Sequence, residues 1–134
     1  MNPADYISLL DSSRESALNI WGFMLTVSLG IIAYLASLKE IKKLQSILLI
    51  VLFSFFCISN HIALKHNLQT REKLIAAYKS EISYKTDSKL NTVVESFEVN
   101  ICNNLSAQVL FSISIAATIL VITLSEIKQP EKPR

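Results

Sequence analysis

Three stretches of this chain, 16–38, 44–64 and 99–125, contain no Asp, Glu, Lys or Arg, and the charged residues gather around and between them. At about 1.5 Å of helical rise per residue, each is long enough to cross a hydrocarbon layer of about 30 Å, which takes roughly 20 residues. The pattern predicts an all-α membrane protein with three transmembrane helices over 16–38, 44–64 and 105–125. A soluble bundle with fully buried helices is the competing reading, but three such runs exceed the core a chain of 134 residues can cover.

Within the first run, Asn19, Gly22, Thr26, Gly30, Ala33 and Ser37 recur at steps of three or four and share one helix face. Their small or weakly polar side chains form a stripe on a helix that is otherwise bulky and apolar. Such stripes let transmembrane helices approach closely, so these six are the expected helix-packing residues. Ahead of the run, residues 1–15 read as an amphipathic or flexible segment. Asn2 and Pro3 suit a helix start, and Tyr6, Leu9, Leu10 and Ser13 would share a face. Such a segment either lies on the membrane surface or stays solvated. Ser12 and Glu15 match a capping box, which predicts a new helix beginning there.

The second run is apolar until Cys57, Ser59, Asn60 and His61. Asn60 and His61 either belong to an ion or proton path or meet water and headgroups at the interface. Between the first two runs, Lys39, Glu40, Lys42 and Lys43 predict a short turn and antiparallel neighbours. One continuous helix would draw lysines into the bilayer. The third run places Gln108, Ser112, Ala116 and Thr123 along one face, and Gln108, Ser112 and Thr123 join Asn60 and His61 as candidates for a polar path.

The segment 65–104 predicts a helical hairpin outside the bilayer. Leu68, Ile75, Tyr78 and Ile82 keep a coiled-coil-like spacing, interrupted by Arg71 in an apolar slot, and Leu90, Val94, Phe97 and Ile101 do the same. Folding the chain back near Thr86 sets Tyr78 against Val94, Ile75 against Phe97, and Arg71 against Ile101. The second and third helices would thus extend outward as one hairpin, the return limb running unbroken into the third span. Residues 126–134, with Pro130 and Pro133, read as a flexible tail.

Composition agrees with this picture. The chain is 51% hydrophobic and 18% charged, and between Ile31 and Gln129 it has neither Gly nor Pro, which favours long helices over sheets. A net charge of +2 is too small for a nucleic-acid surface. Lys39, Lys42 and Lys43 favour a cytoplasmic first connection with the hairpin outside, against the pull of Lys65, Arg71, Lys73 and Lys79.

Chemistry was sought without success. His61 and His66 are five residues apart and point about 140° from each other on a helix, so no metal site, cofactor or catalytic set is expected, nor an enzyme. Cys57 and Cys102 lie about 20 Å apart along the hairpin register, too far for a disulfide. Asn104-Leu105-Ser106 matches a glycosylation triplet but abuts the third run, where chance explains it better. The expectation is a multi-pass protein of the bacterial inner membrane whose partners are the lipid bilayer and further copies of itself. By architectural analogy with effectors of bacterial antiviral defence or toxin systems, it would form a membrane-permeabilising pore. The alternative is a non-conducting accessory subunit or anchor whose hairpin binds a partner protein.

Overall fold

A computed structural model of the chain describes residues 3–38, 43–80, 88–98 and 100–127. Four helices follow one another: α1 (Pro3–Ser37), α2 (Lys43–Ser80), α3 (Ser88–Glu95) and α4 (Ile101–Ile127). The described residues contain no strand. Three of the helices, over Ala4–Ser37, Leu44–Ser80 and Ile101–Leu124, are long and apolar enough to cross a membrane. This is compatible with a multi-pass membrane protein. The first connection (39–42), the bend at Thr86 with Ile82, and the tail from residue 128 lie outside the described residues.

Pro3 occupies the first helical position of α1, where its fixed φ and missing N–H cost nothing. The capping-box expectation at Ser12 is not met, because α1 runs through that position for 35 residues. The reason is packing. Tyr6, Leu10, Ala17, Met24, Ser28 and Leu35 are all buried and fall at steps of four and seven, so one face stays in register from end to end. A cap is only a local preference of about 1 kcal/mol, and a continuous buried face outweighs it.

α2 is 38 residues long, about 57 Å at the helical rise, and packs against both α1 and α4. α1 and α4 touch each other less.

The return limb is not the unbroken helix the spacing predicts. α3 ends at Glu95 and α4 begins at Ile101. Backbone bonds from Ser96 N to Val93 O, Phe97 N to Val94 O and Glu98 N to Glu95 O, at 3.0–3.1 Å, tighten the end of α3 into a turn. The Ser96 hydroxyl donates to Val93 O at 2.6 Å. Asn100 then starts a new helix, its Oδ1 accepting the Asn103 N–H at 3.0 Å, the bond of an N-cap side chain to the third helical residue. Asn91, Thr92, Val93 and Val94 are all weak helix formers, so little is lost by stopping there.

Buried side chains form three clusters along the long axis. Tyr6, Leu10, Ile75, Tyr78, Val94 and Phe97 make the first. Ala17, Leu64 and Leu68, with Ile20, Trp21, Ile101 and Leu105 against them, make the second. Leu35, Phe53 and Ile119 centre the third. Leu68, Ile75, Tyr78, Val94, Phe97 and Ile101 of the hairpin seam therefore lie in the first two clusters, while Ile82 and the Leu90 side chain lie outside what is described. However, the seam is not closed by two helices alone. The segment 1–15, expected to lie on a surface or stay solvated, supplies a third side through Tyr6 and Leu10 at the start of α1, and the Tyr6 and Tyr78 rings meet edge-on at 5.5 Å.

Candidate functional site

Between the second and third clusters, polar side chains of α2 and α4 converge and find further partners on α1, in the Met24 sulfur and the Ile20 carbonyl. Gln108 of α4 is buried, and its Oε1 lies 3.1 Å from His61 Nδ1 of α2, accepting a hydrogen bond in the tautomer that carries the proton there. The Gln108 amide donates to Met24 Sδ of α1 at 3.7 Å. Beside it, Asn60 Nδ2 donates to Ile20 O of α1 at 3.5 Å. Trp21 and Phe111 meet edge-on at the same level, 6.3 Å apart. The layer is thus a lock. A polar side chain facing an apolar surround must find a partner, and here each partner belongs to a different helix.

The remaining candidates for a polar path do not extend this layer into a line. Ser112 donates to Gln108 O and Thr123 to Ile119 O, each at 2.8 Å, so both hydroxyls are turned back onto their own helix. Between them the interior is closed by the cluster of Leu35, Phe53 and Ile119, with Ile115 packed on it. Ala116, on the face read from the sequence, is exposed. Replacing Gln108 with leucine removes a cross-helix bond and leaves His61 Nδ1 unpartnered. The expected loss is about 1 kcal/mol, the scale of interhelical hydrogen bonds between membrane helices. A thermal melt in detergent checks this, and His61→Phe should cost much less in the Gln108→Leu background than in the wild type.

Among the described residues the small stripe of α1 lies on the outer surface. Asn19, Gly22, Thr26, Gly30, Ala33 and Ser37 are all exposed, and a Cβ built on Gly22 or Gly30 meets nothing within 4 Å. The helical period sets this stripe roughly 170° from the buried face of α1. Thr26 donates to Gly22 O at 2.9 Å and Ser37 to Tyr34 O at 2.7 Å, so their hydroxyls need no outside partner. Near its amino-terminal end the stripe meets a polar crevice of about 560 Å³ between α1 and α2, bordered by Glu15, Ser16, Asn19 and Asn60.

Sequence reasoning missed a third polar group, outside the uncharged runs. Arg71 is only 6% exposed. Rather than facing Ile101, it reaches α1, where its Nε donates to Ser13 Oγ at 3.5 Å, and Ser13 Oγ in turn donates to Asn67 Oδ1 at 3.3 Å. Burial, and then the like charge of Arg14, lower its pKa. The one available signal was a charged residue standing in an apolar slot of the seam.

The described residues contain no group of three or more His, Cys, Asp or Glu placed to hold a metal ion. What the arrangement does chemically is orient helices, with one face of α1 left open. No protein-family model, no curated protein and no solved structure matches this chain.

Proposed function

We propose that this chain is an integral membrane protein, crossing the bilayer at 16–38, 44–64 and 105–125, that acts as a homo-oligomer and permeabilises the membrane when several copies assemble. Its outer faces support the membrane part of this reading. In each of the three apolar helices only 17% of the most apolar window is buried within the chain. Leu29, Phe55, Leu110 and Val121 are each about two-thirds exposed. At roughly 25 cal/mol per Å² of apolar area, so much bare surface calls for a lipid surround.

The observation that carries the assembly is the open small-residue face of α1. Association between membrane helices depends on close backbone approach, and this long face offers it, opposite to the face the chain uses for itself. Three helices in one copy are packed shut, so a path for ions lies between copies. Grouped around an axis, α1 faces would meet there, with Asn19 and its polar crevice at the mouth. Gln108, Ser112 and Thr123, turned inward, serve the protomer instead of the path.

The accessory-subunit reading is less well supported, because the hairpin seam a partner would have completed is filled by Tyr6 and Leu10. The lysines at 39, 42 and 43 favour a cytoplasmic first connection in a bacterial inner membrane, with the hairpin and the amino terminus outside. The role as a defence or toxin effector rests on architectural analogy. The test is the mass of the purified protein in detergent together with potassium release from vesicles containing it. A discrete multimer with leakage is expected, and a monomer that leaves vesicles tight overturns the reading.

A further inference from the structure

We infer that the cavity beside Arg71 binds a phosphate group. The cavity, about 300 Å³, lies against α2, with Leu68, Arg71, Ile75, Ala76 and Lys79 on its wall. Its volume is at the lower end of the roughly 300–1,000 Å³ usual for small-ligand sites. Arg71 is buried, yet its Nη2 has no hydrogen-bond partner among the described residues, and its Nε makes only the long bond to Ser13. A guanidinium carries five donors in a planar fork that matches two oxygens of an oxyanion. Burying that charge without a counter-charge is among the costliest arrangements a protein can hold.

The neighbouring groups do not neutralise it. Arg14, whose charge acts on it, has the same sign. Of the two carboxylates bordering the cavity, Glu98 is engaged by Lys79. Glu72 follows Arg71 directly in α2, about 100° further around the helix, and is exposed. An oxyanion satisfies the fork and the charge together.

The place of the cavity indicates where the phosphate comes from. Arg71 stands seven residues beyond the end of the second uncharged run, about 10 Å along the helix, but its side chain leans back to Ser13, three residues or about 4–5 Å outside the first run. Headgroups extend roughly 5–7 Å beyond each side of the hydrocarbon. A lipid phosphate therefore lies within reach, and a free phosphate could enter from solvent. Only the lipid source rests on the proposed membrane insertion.

The experiment is a thermal melt of the full chain in detergent, with inorganic phosphate against chloride at matched ionic strength, and with phosphatidylglycerol against diacylglycerol, which lacks the phosphate, in mixed micelles. Wild type, Arg71→Met and Arg71→Lys are compared. Near saturation the wild-type Tm should rise by about 5 °C. The lysine variant, which keeps the charge but loses the fork, should retain less than half of that rise, and the methionine variant none. A rise with phosphatidylglycerol at concentrations where inorganic phosphate has no effect assigns the headgroup; equal responses at equal phosphate assign the free anion. No rise in the wild type with either ligand overturns the site, as does a full rise in Arg71→Met. Should the methionine variant fail to fold, the wild-type and lysine melts still decide. None of these readouts depends on assembly or leakage, so a monomeric, non-leaking protein that still responds to phosphate would sink the functional proposal and leave this site standing.

Discussion

Replacing Gly22 and Gly30 together by leucine should leave the protomer folded and reduce it to a monomer, with vesicle leakage falling at least tenfold. The expectation combines two observations. A Cβ at either position meets nothing within 4 Å, so both positions open onto free space. Both glycines also lie on the one small face of α1, where a neighbouring helix would need close approach. A tenfold change takes only about 1.4 kcal/mol, less than two bulky side chains per copy should remove from a close helix contact. The alanine pair is the control. Glycine inside a helix costs roughly 0.5–1 kcal/mol relative to alanine, so Gly22→Ala with Gly30→Ala should raise the protomer's stability by about 1–2 kcal/mol. Mass in detergent and potassium release, measured for both pairs, separate the two effects. A leucine pair that stays multimeric and leaky would show that copies meet elsewhere.

The second large effect concerns the end of the molecule away from the proposed pore-lining faces. Tyr78→Ala should destabilise the outer three-helix part by about 3–5 kcal/mol, the cost of truncating a buried aromatic side chain. Tyr78 is fully buried among Tyr6 and Leu10 of α1, Val94 of α3 and Phe97 just after it, so its loss opens a core shared by three helices rather than one contact. Phe53, in the far cluster, lies 25 residues away along α2, about 37 Å at the helical rise. Sites so far apart behave independently. Hydrogen exchange should therefore accelerate over 3–13 and 88–98 while the helices around Leu35, Phe53 and Ile119 keep their protection. Uniform loss of protection along all three helices would instead mean that the chain unfolds as one unit. Leu10→Ala, a deletion costing about 2–5 kcal/mol, should give the same regional pattern, since it removes the contribution of α1 to the same core.

That core also shows where reading the chain residue by residue reaches its limit. The seam spacing of Ile75, Tyr78, Val94 and Phe97 was visible because charged and polar residues surround it, and an apolar stripe on an otherwise polar helix gives a clear period. Tyr6 and Leu10 showed the same period, but a single amphipathic turn or two does not say whether it meets a membrane surface or another helix. Ser12 and Glu15 formed a good local start signal that long-range packing overrode. Nothing local marks Asn100, inside the third uncharged run, as a helix start, and only the break after Glu95 makes it a cap.

In the apolar part the uncertainty has a different physical origin. Lipid tails are as apolar as leucine, so hydropathy does not distinguish an inward from an outward face. α1 therefore showed a small stripe without revealing that it faces away from the rest of the chain. The inward face, with Ala17, Met24, Ser28 and Leu35, is no more apolar than the outward one bearing Phe23, Leu25 and Leu29. Gln108 and His61 were each legible as polar residues in an apolar run, but their partnership across 47 positions was not.

By itself, the sequence determined that this protein is helical and that three of its helices are long and apolar enough to span a bilayer. Those properties follow from local composition: uncharged runs of sufficient length, and no Gly or Pro from Ile31 to Gln129. Only the tertiary structure decided which face of α1 is spent inside the protomer and which is left open, that the amino-terminal turns complete the hairpin core, and that Arg71 is buried beside a cavity. Each of these depends on side chains far apart in the chain competing for the same space, a contest that no local pattern resolves.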